Sequence, residues 1–246
     1  MTDRQTDRQT DRQTDRQTDR QTDRQTDNIN NMSCLNVGSG VGFAWEKYLR
    51  ANLGDSIVLD CVDQYSPEEV PDSVGQVYKQ NINEFSDIPD YISNFYIQNI
   101  EEPFDLDKRY DIVISNEVME HLDKTDEYLK NCRKHLKPKG VLYLSVPSIG
   151  SVFGRFELLF GFQPHILEIS NEKSRFGTGI FGKWGTPYTT SIHHIRGYTY
   201  RALREMLEYH GFVIKKSLGT SEGVNTKIFT HIPSLAPDIL FICEKA

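Results

Sequence analysis

Three glycines in the stretch LNVGSGVG, Leu35 to Gly42, are the first residues whose spacing suggests chemistry. Gly38, Gly40 and Gly42 occupy alternate positions, directly after an apolar run and before a helical pattern. Glycine there lets the backbone turn sharply and approach a ligand closely. The N-terminus of the following helix adds unpaired N–H groups facing the same place. A dinucleotide fingerprint would place its third glycine at position 43, which is Phe43 here. The alternate spacing instead suits a nucleoside joined to an amino acid, with no pyrophosphate to cradle, and disfavours a nicotinamide cofactor. Such turns also serve structure alone, so a second residue has to join them. Asp63 does so, at the end of the next apolar run, VLDCVD, about twenty residues on. A carboxylate there can accept hydrogen bonds from both ribose hydroxyls. Asp60, inside the same run, is the lesser candidate.

If the substrate had to lose a proton, a general base would be needed, and the histidines are the candidates. His165, His193 and His194 lie in or beside a long irregular segment suited to the substrate side. Each also reads as a surface or structural residue. His121, in EVMEHL, suits closing a junction between strand and helix better than catalysis. Ser145 and Ser148 have no evident partner base for nucleophilic work. The four cysteines, Cys34, Cys61, Cys132 and Cys243, are far apart and without CxxC spacing. No zinc site, other metal site or disulfide framework is expected from them. A reducing, cytoplasmic setting fits.

These residues need a scaffold, and the chain alternates apolar strands with helical stretches. That order predicts an α/β fold, doubly wound, with a mostly parallel seven-stranded sheet and an antiparallel strand at the end. The expected strands are Ser33–Val37, Ile57–Val62, Asn94–Gln98, Asp111–Ser115, Val141–Val146, Phe212–Lys216 and Asp238–Cys243. The expected helices are Phe43–Leu53, closed by Gly54, then Asp123–Leu136, capped by Asp123, and one running from Thr199 to His210 and ended by Gly211. Pro138-Lys139-Gly140 reads as a turn. Residues 147–197 read as a lid or substrate-side insertion. Its aromatics, Phe153, Phe156, Phe160, Phe162, Phe176, Phe181 and Trp184, suit either core or an apolar or sugar-stacking pocket.

The chain has 246 residues and a net charge of −7, enough for one domain and too acidic to bind nucleic acid through bulk charge. No apolar run is long enough to span a bilayer, so no stable membrane insertion is expected. Residues 1–27 stand apart. Thr2 to Gln25 is the tetrapeptide TDRQ repeated without a fault, which buries nothing and reads as a disordered tail ahead of a domain over residues 28–246. Thr-Asp-Arg-Gln can be coded as ACA GAC AGA CAG, a four-base unit read three times. The tract resembles translated tetranucleotide repeats of phase-variable bacterial surface-carbohydrate genes. A misplaced start codon within a simple DNA repeat is the other reading.

Taken as a set, the glycine turn, VDQYSPEE, and YDIVISNEVMEHLDKTDEYLKNCRKHLKPKGVLYLSVPS from Tyr110 to Ser148 resemble the class I S-adenosylmethionine-dependent methyltransferases. The similarity is strongest to the branch related to ubiquinone-biosynthesis enzymes and methyltransferases of surface-polysaccharide clusters. It covers most of residues 33–148 and continues less firmly beyond. The resemblance implies S-adenosyl-L-methionine as cofactor. Gly38, Gly40 and Gly42 would line its methionine and ribose, Asp63 would hold the ribose, and Gln64 would lie beside the adenine. Asn99 and Ile100 would contact the adenine, and Asn116 would lie near the methionine. Asn36 stands where that family usually has an acid, and brings no negative charge. The implied substrate is a small molecule or saccharide. A lipid or quinone precursor, and a non-catalytic cofactor-binding role, are the alternatives. Oligomeric state is left open.

Overall fold

The computed structural model describes residues 31–40, 42–66, 88–182, 190–220 and 227–246. The TDRQ repeat and Trp184 lie outside the described residues. Strand β1 (Met32–Val37) leads through the glycine turn into helix α1 (Ala44–Leu53), then β2 (Ile57–Asp63) and β3 (Ile92–Ile97). Strand β4 (Tyr110–Asn116) is followed by a single 3-10 turn, Met119–His121, helix α2 (Thr125–His135) and β5 (Leu136–Pro147). Helix α3 (Val152–Leu159) opens the long insertion. Helix α4 (Tyr200–Tyr209), β6 (Phe212–Thr220), the short helix α5 (Lys227–Thr230) and β7 (Asp238–Lys245) complete the chain.

The seven strands lie in the order β3-β2-β1-β4-β5-β7-β6. The β1–β2, β1–β4, β2–β3 and β4–β5 pairs are parallel, while β7 runs antiparallel to both β5 and β6. This is the doubly wound, mostly parallel sheet expected from the alternation of strands and helices. The connections leave β1 in opposite directions, so the carboxyl ends of β1 and β4 flank the switch point where such sheets bind ligands.

The period-two alternation of β1 sorts its side chains between two cores. Leu35 and Val37 join a cluster with Tyr128, Leu129, Cys132, Leu142 and Leu144 beneath α2 and α4. Cys34 faces the other way, among Phe43, Ile57, Leu59 and Cys61 beneath α1. All four cysteines are buried and free.

Local chemistry moved two boundaries. Helix α2 begins at Thr125, with Lys124 at its N-cap and no side chain capping it; just ahead of it, Glu101 Oε2 accepts the backbone N–H groups of Asp123 and Lys124 at 2.8 and 2.7 Å. Asp123 is therefore not the cap: it lies one residue ahead of the N-cap, in the segment that Glu101 ties down. Pro138-Lys139-Gly140 is no separate turn but part of β5, where the register with β4 shifts. Lys139 takes a left-handed φ of 62° at that irregularity. Thr199 does cap α4, its hydroxyl accepting from Ala202 N. Among the described residues, no helix is long and apolar enough to cross a membrane.

Candidate active site

The glycine turn is built by backbone geometry that side chains resist. Gly38 and Gly40 have φ of 76° and 63°. A Cβ on Gly38 would meet Val118 Cγ2 at 2.7 Å, so the first glycine is required both by its conformation and by the close approach of the segment after β4. Phe43, at the N-cap of α1, also has a left-handed φ, 45°, which is strained for a bulky residue. It is held there by burial and by an edge-on contact with Phe95. Gly42 is exposed.

Asp63 stands at the end of β2 beside this turn. Its two carboxylate oxygens accept from Gly40 N at 2.8 Å and Gln64 N at 2.6 Å, tying the turn to the strand end. Burial pushes its carboxyl above the usual range, against the downward pull of those backbone donors. Each oxygen keeps a second lone pair, so the group still fits a ribose diol. Gln64 and Asn99 are exposed, and Asn99 Oδ1 accepts from Glu101 N at 3.0 Å. Ile100 is buried in the core. Asn116, at the end of β4, accepts from Ser145 Oγ at 2.8 Å. Asn36 is buried near the end of β1, where its Nδ2 donates to Glu46 Oε1 of α1 at 2.5 Å. Asn36 Oδ1 and Glu46 Oε2 are buried without hydrogen-bond partners. The turn, Asp63 and Asn36 thus gather at the carboxyl edge of β1 and β2, and their free acceptors suit a ligand that brings donors.

A second set of residues meets just beyond β4. Glu120 is completely buried, and neither carboxylate oxygen has a hydrogen-bond partner. His121 Nε2 and His194 Nε2 lie 3.7 and 3.9 Å from Glu120 Oε1. The ligand atoms of the three residues all fall within 4.8 Å of one another. The other ring nitrogens face backbone carbonyls: His121 Nδ1 that of His193 at 3.3 Å, His194 Nδ1 that of Ile166 at 3.0 Å. Burial pushes both imidazoles down to about 4, His194 adding to the effect on His121. Both rings are therefore neutral near pH 7. A carbonyl can only accept, which puts the ring proton on Nδ1 and leaves the Nε2 lone pairs facing the carboxylate. Burial, and then the charge of Glu117, push Glu120 well above its ordinary range. Apart from a proton on Glu120 itself, no donor meets these three groups; their convergence is what a cation site looks like, with the second-shell carbonyls that orient ligating histidines already in place.

The chain fixes this cluster from both sides. Glu120 O accepts from Ile195 N and Arg196 N at 2.9 and 3.0 Å, and Arg196 Nε donates to Leu122 O at 2.7 Å. Glu117 and His193, flanking the cluster, have left-handed φ of 54° and 61°. Strain of this kind persists only where surrounding structure imposes it, and it gathers at functional sites. Tyr128 OH lies 2.7 Å from Ser115 Oγ and 3.1 Å from Val37 O, so it props the ends of β4 and β1 together. Val118, which lies against Gly38, is two residues from Glu120, so the cluster borders the glycine turn.

Of His165, His193 and His194, only His194 joins this cluster through its ring; His121, read from the sequence as closing a strand–helix junction, joins it as well. His193 is exposed and contributes its carbonyl. His165 is paired elsewhere, its Nδ1 lying 2.7 Å from the buried Glu157. Spacing along the chain gave no sign of a metal site, because Glu120 and His194 are 74 residues apart. The one available signal was the pair Glu120-His121, set after a strand end. Among the described residues the phenylalanines of the insertion stay outside the core: Phe153, Phe156, Phe160 and Phe176 are all exposed, while Phe162 and Phe181 meet edge-on.

Comparison with known proteins agrees with the fold. In solved structures, the chain superposes on a methyltransferase from Methanosarcina mazei with a TM-score of 0.53 at 14% identity, covering 88% of this chain and 93% of that one. An S-adenosylmethionine-dependent methyltransferase from Clostridium acetobutylicum gives 0.52 at 14% identity, over 88% and 85%. At such identities the fold is what is shared. Among curated proteins, a ubiquinone biosynthesis O-methyltransferase of Rickettsia bellii is 46% identical over 39 residues. The match spans 16% of each chain, so only a short segment is common to both. A family model described as a methyltransferase domain matches residues 7–217, most of the molecule. With its glycine turn, strand-end acid and sheet order, the chain belongs to this methyltransferase-domain family.

Proposed function

We propose that this methyltransferase carries the methyl group of S-adenosyl-L-methionine to a hydroxyl of a small molecule or saccharide, and that Glu120, His121 and His194 hold a divalent cation on the acceptor side. The cofactor, when bound, supplies a methyl group already activated on a sulfonium. The chain's task is then alignment. Gly38, Gly40 and Gly42 give the backbone its close approach to the methionine and ribose, and Asp63 takes the ribose hydroxyls. Gln64, Asn99 and Ile100 border the adenine, and Asn36 and Asn116 border the methionine. Transfer would replace the S–CH3 bond of the bound cofactor by an O–CH3 bond, the electron pair staying on sulfur and the hydroxyl proton going to solvent.

The observation that supports the acceptor half is the Glu120 carboxylate, buried, unpartnered and faced by two imidazole lone pairs. A cation there would let the carboxylate ionise and would acidify a bound hydroxyl. A place in surface-polysaccharide biosynthesis is favoured by the resemblance and by the TDRQ repeat. The 39-residue identity to a ubiquinone biosynthesis O-methyltransferase favours a quinone or lipid precursor as the second reading. The four buried, unpaired thiols suit a reducing cytoplasm.

The test pairs Mn2+ binding, read by water-proton relaxation, with transfer of labelled methyl to nucleotide sugars, glycans and catechols. Wild type should bind Mn2+, His194→Ala should lose it, and transfer should stop with chelator. Equal Mn2+ binding by both proteins would sink the cation site. Cofactor binding with no transfer to any acceptor would favour a regulatory protein.

A further inference from the structure

A second buried carboxylate lies on the cofactor side, outside every sequence motif. Glu46 is in the first turn of α1 and only 2% exposed. Its Oε1 accepts from Asn36 Nδ2 at 2.5 Å and from the Cys61 thiol at 3.2 Å. Its Oε2 has no hydrogen-bond partner, and among the described residues no Lys or Arg pairs with it. Since the Asn36 amide turns its nitrogen to Glu46, its oxygen is left over, and that oxygen is also buried and unpartnered. Two acceptors are therefore orphaned side by side near the end of β1, where Asn36 stands two residues before Gly38. An uncompensated carboxylate in such a place is costly. The thiols beside it keep their protons: burial, then the charge of Glu46, pushes Cys34 and Cys61 far above the usual thiol range.

The missing partner must be a donor, and a cationic one suits best. We infer that Glu46, acting with Asn36, is the anionic subsite for the α-ammonium of the cofactor's methionine moiety. This rests on the cofactor named above. Asn36 spreads the charge of a helix residue to the strand end, where its own Oδ1 and Glu46 Oε2 present acceptors to the ammonium. The glycine turn then places the chain's negative charge behind the backbone rather than on the strand itself.

Calorimetric titration of the full chain tests this with two probes, S-adenosylmethionine and 5′-methylthioadenosine, which keeps the nucleoside and lacks the amino acid. Glu46→Gln is near-isosteric and should weaken S-adenosylmethionine binding at least tenfold while leaving methylthioadenosine unchanged. Moving the charge to the strand, in Asn36→Asp with Glu46→Gln, should restore the affinity. This double variant also serves if the single one folds poorly. Unchanged S-adenosylmethionine affinity in Glu46→Gln, or a parallel loss for both probes, would overturn the inference and leave a purely structural network fastening α1 to the sheet. If wild type bound neither probe, the cofactor reading itself would fall, an outcome distinct from equal binding by wild type and variant.

Discussion

Two buried carboxylates, one within the parallel sheet and one beyond its carboxyl end, face opposite circumstances. Asp60, midway along β2, is 1% exposed and fully answered: Tyr110 OH at 2.7 Å, Lys108 Nζ at 2.6 Å and Asn94 Nδ2 at 3.0 Å all donate to it. Glu120, beyond the carboxyl end of β4, is equally buried and answered by nothing. Asp60 locks β2, β3 and β4 together. Glu120 stores an unmet demand. The difference separates polar groups that serve the fold from those that await a ligand, since an unsatisfied buried charge is retained only where something else compensates it.

The contrast is broken most forcefully at Glu120. Glu120→Gln should lower methyl transfer by a factor on the order of 100 or more, as expected for loss of a group at the reacting centre. It should leave the urea midpoint unchanged or raised. A large destabilisation would make Glu120 another Asp60. The converse substitution, Asp60→Ala, should cost about 3 kcal/mol in urea unfolding, because it leaves Tyr110 and Lys108 without their partner. Its methyl transfer, measured well below the unfolding transition, should stay near wild type.

Asp63→Ala tests the same distinction on the cofactor edge. Its carboxylate makes two local backbone bonds and keeps capacity for a ligand, so cofactor affinity measured by calorimetry should fall by roughly 1–3 kcal/mol. Unchanged affinity would assign the ribose to another acid. The smallest effect concerns Asp105, near the amino edge. Hydrogen bonds from Arg109 and Lys134 hold its carboxyl below the usual range. Its stabilising contribution is thus present above the unfolded value of 3.8 and lost as pH falls below it. Asp105→Asn should flatten the acid limb of melting temperature against pH, with little change near pH 7.

The same division governs what the sequence made legible. The glycine turn and Asp63 are strung along one β-α-β unit, where local spacing carries the geometry. The mostly parallel sheet followed from the alternation of apolar runs and helical stretches. Glu120 and His194 are joined only when the insertion folds back and Ile195 and Arg196 bond to Glu120 O. No periodicity encodes that return. Glu46 was hidden for another reason: a charged residue in a helix reads as surface, and only packing shows it to be buried. Lys139 was misread because a bulge and a turn share the same residues, and only the register with β4 separates them.

The position of β7 has a consequence for synthesis. Of the seven strands of this sheet it is the last to leave the ribosome, yet it lies inside the sheet, between β5 and β6. Until Asp238–Lys245 emerges, β5 presents an open edge and β6 has no neighbour. Both are invitations to mispairing in a nascent chain. A stop codon shortly before residue 238 would therefore yield an aggregating product rather than a slightly smaller enzyme.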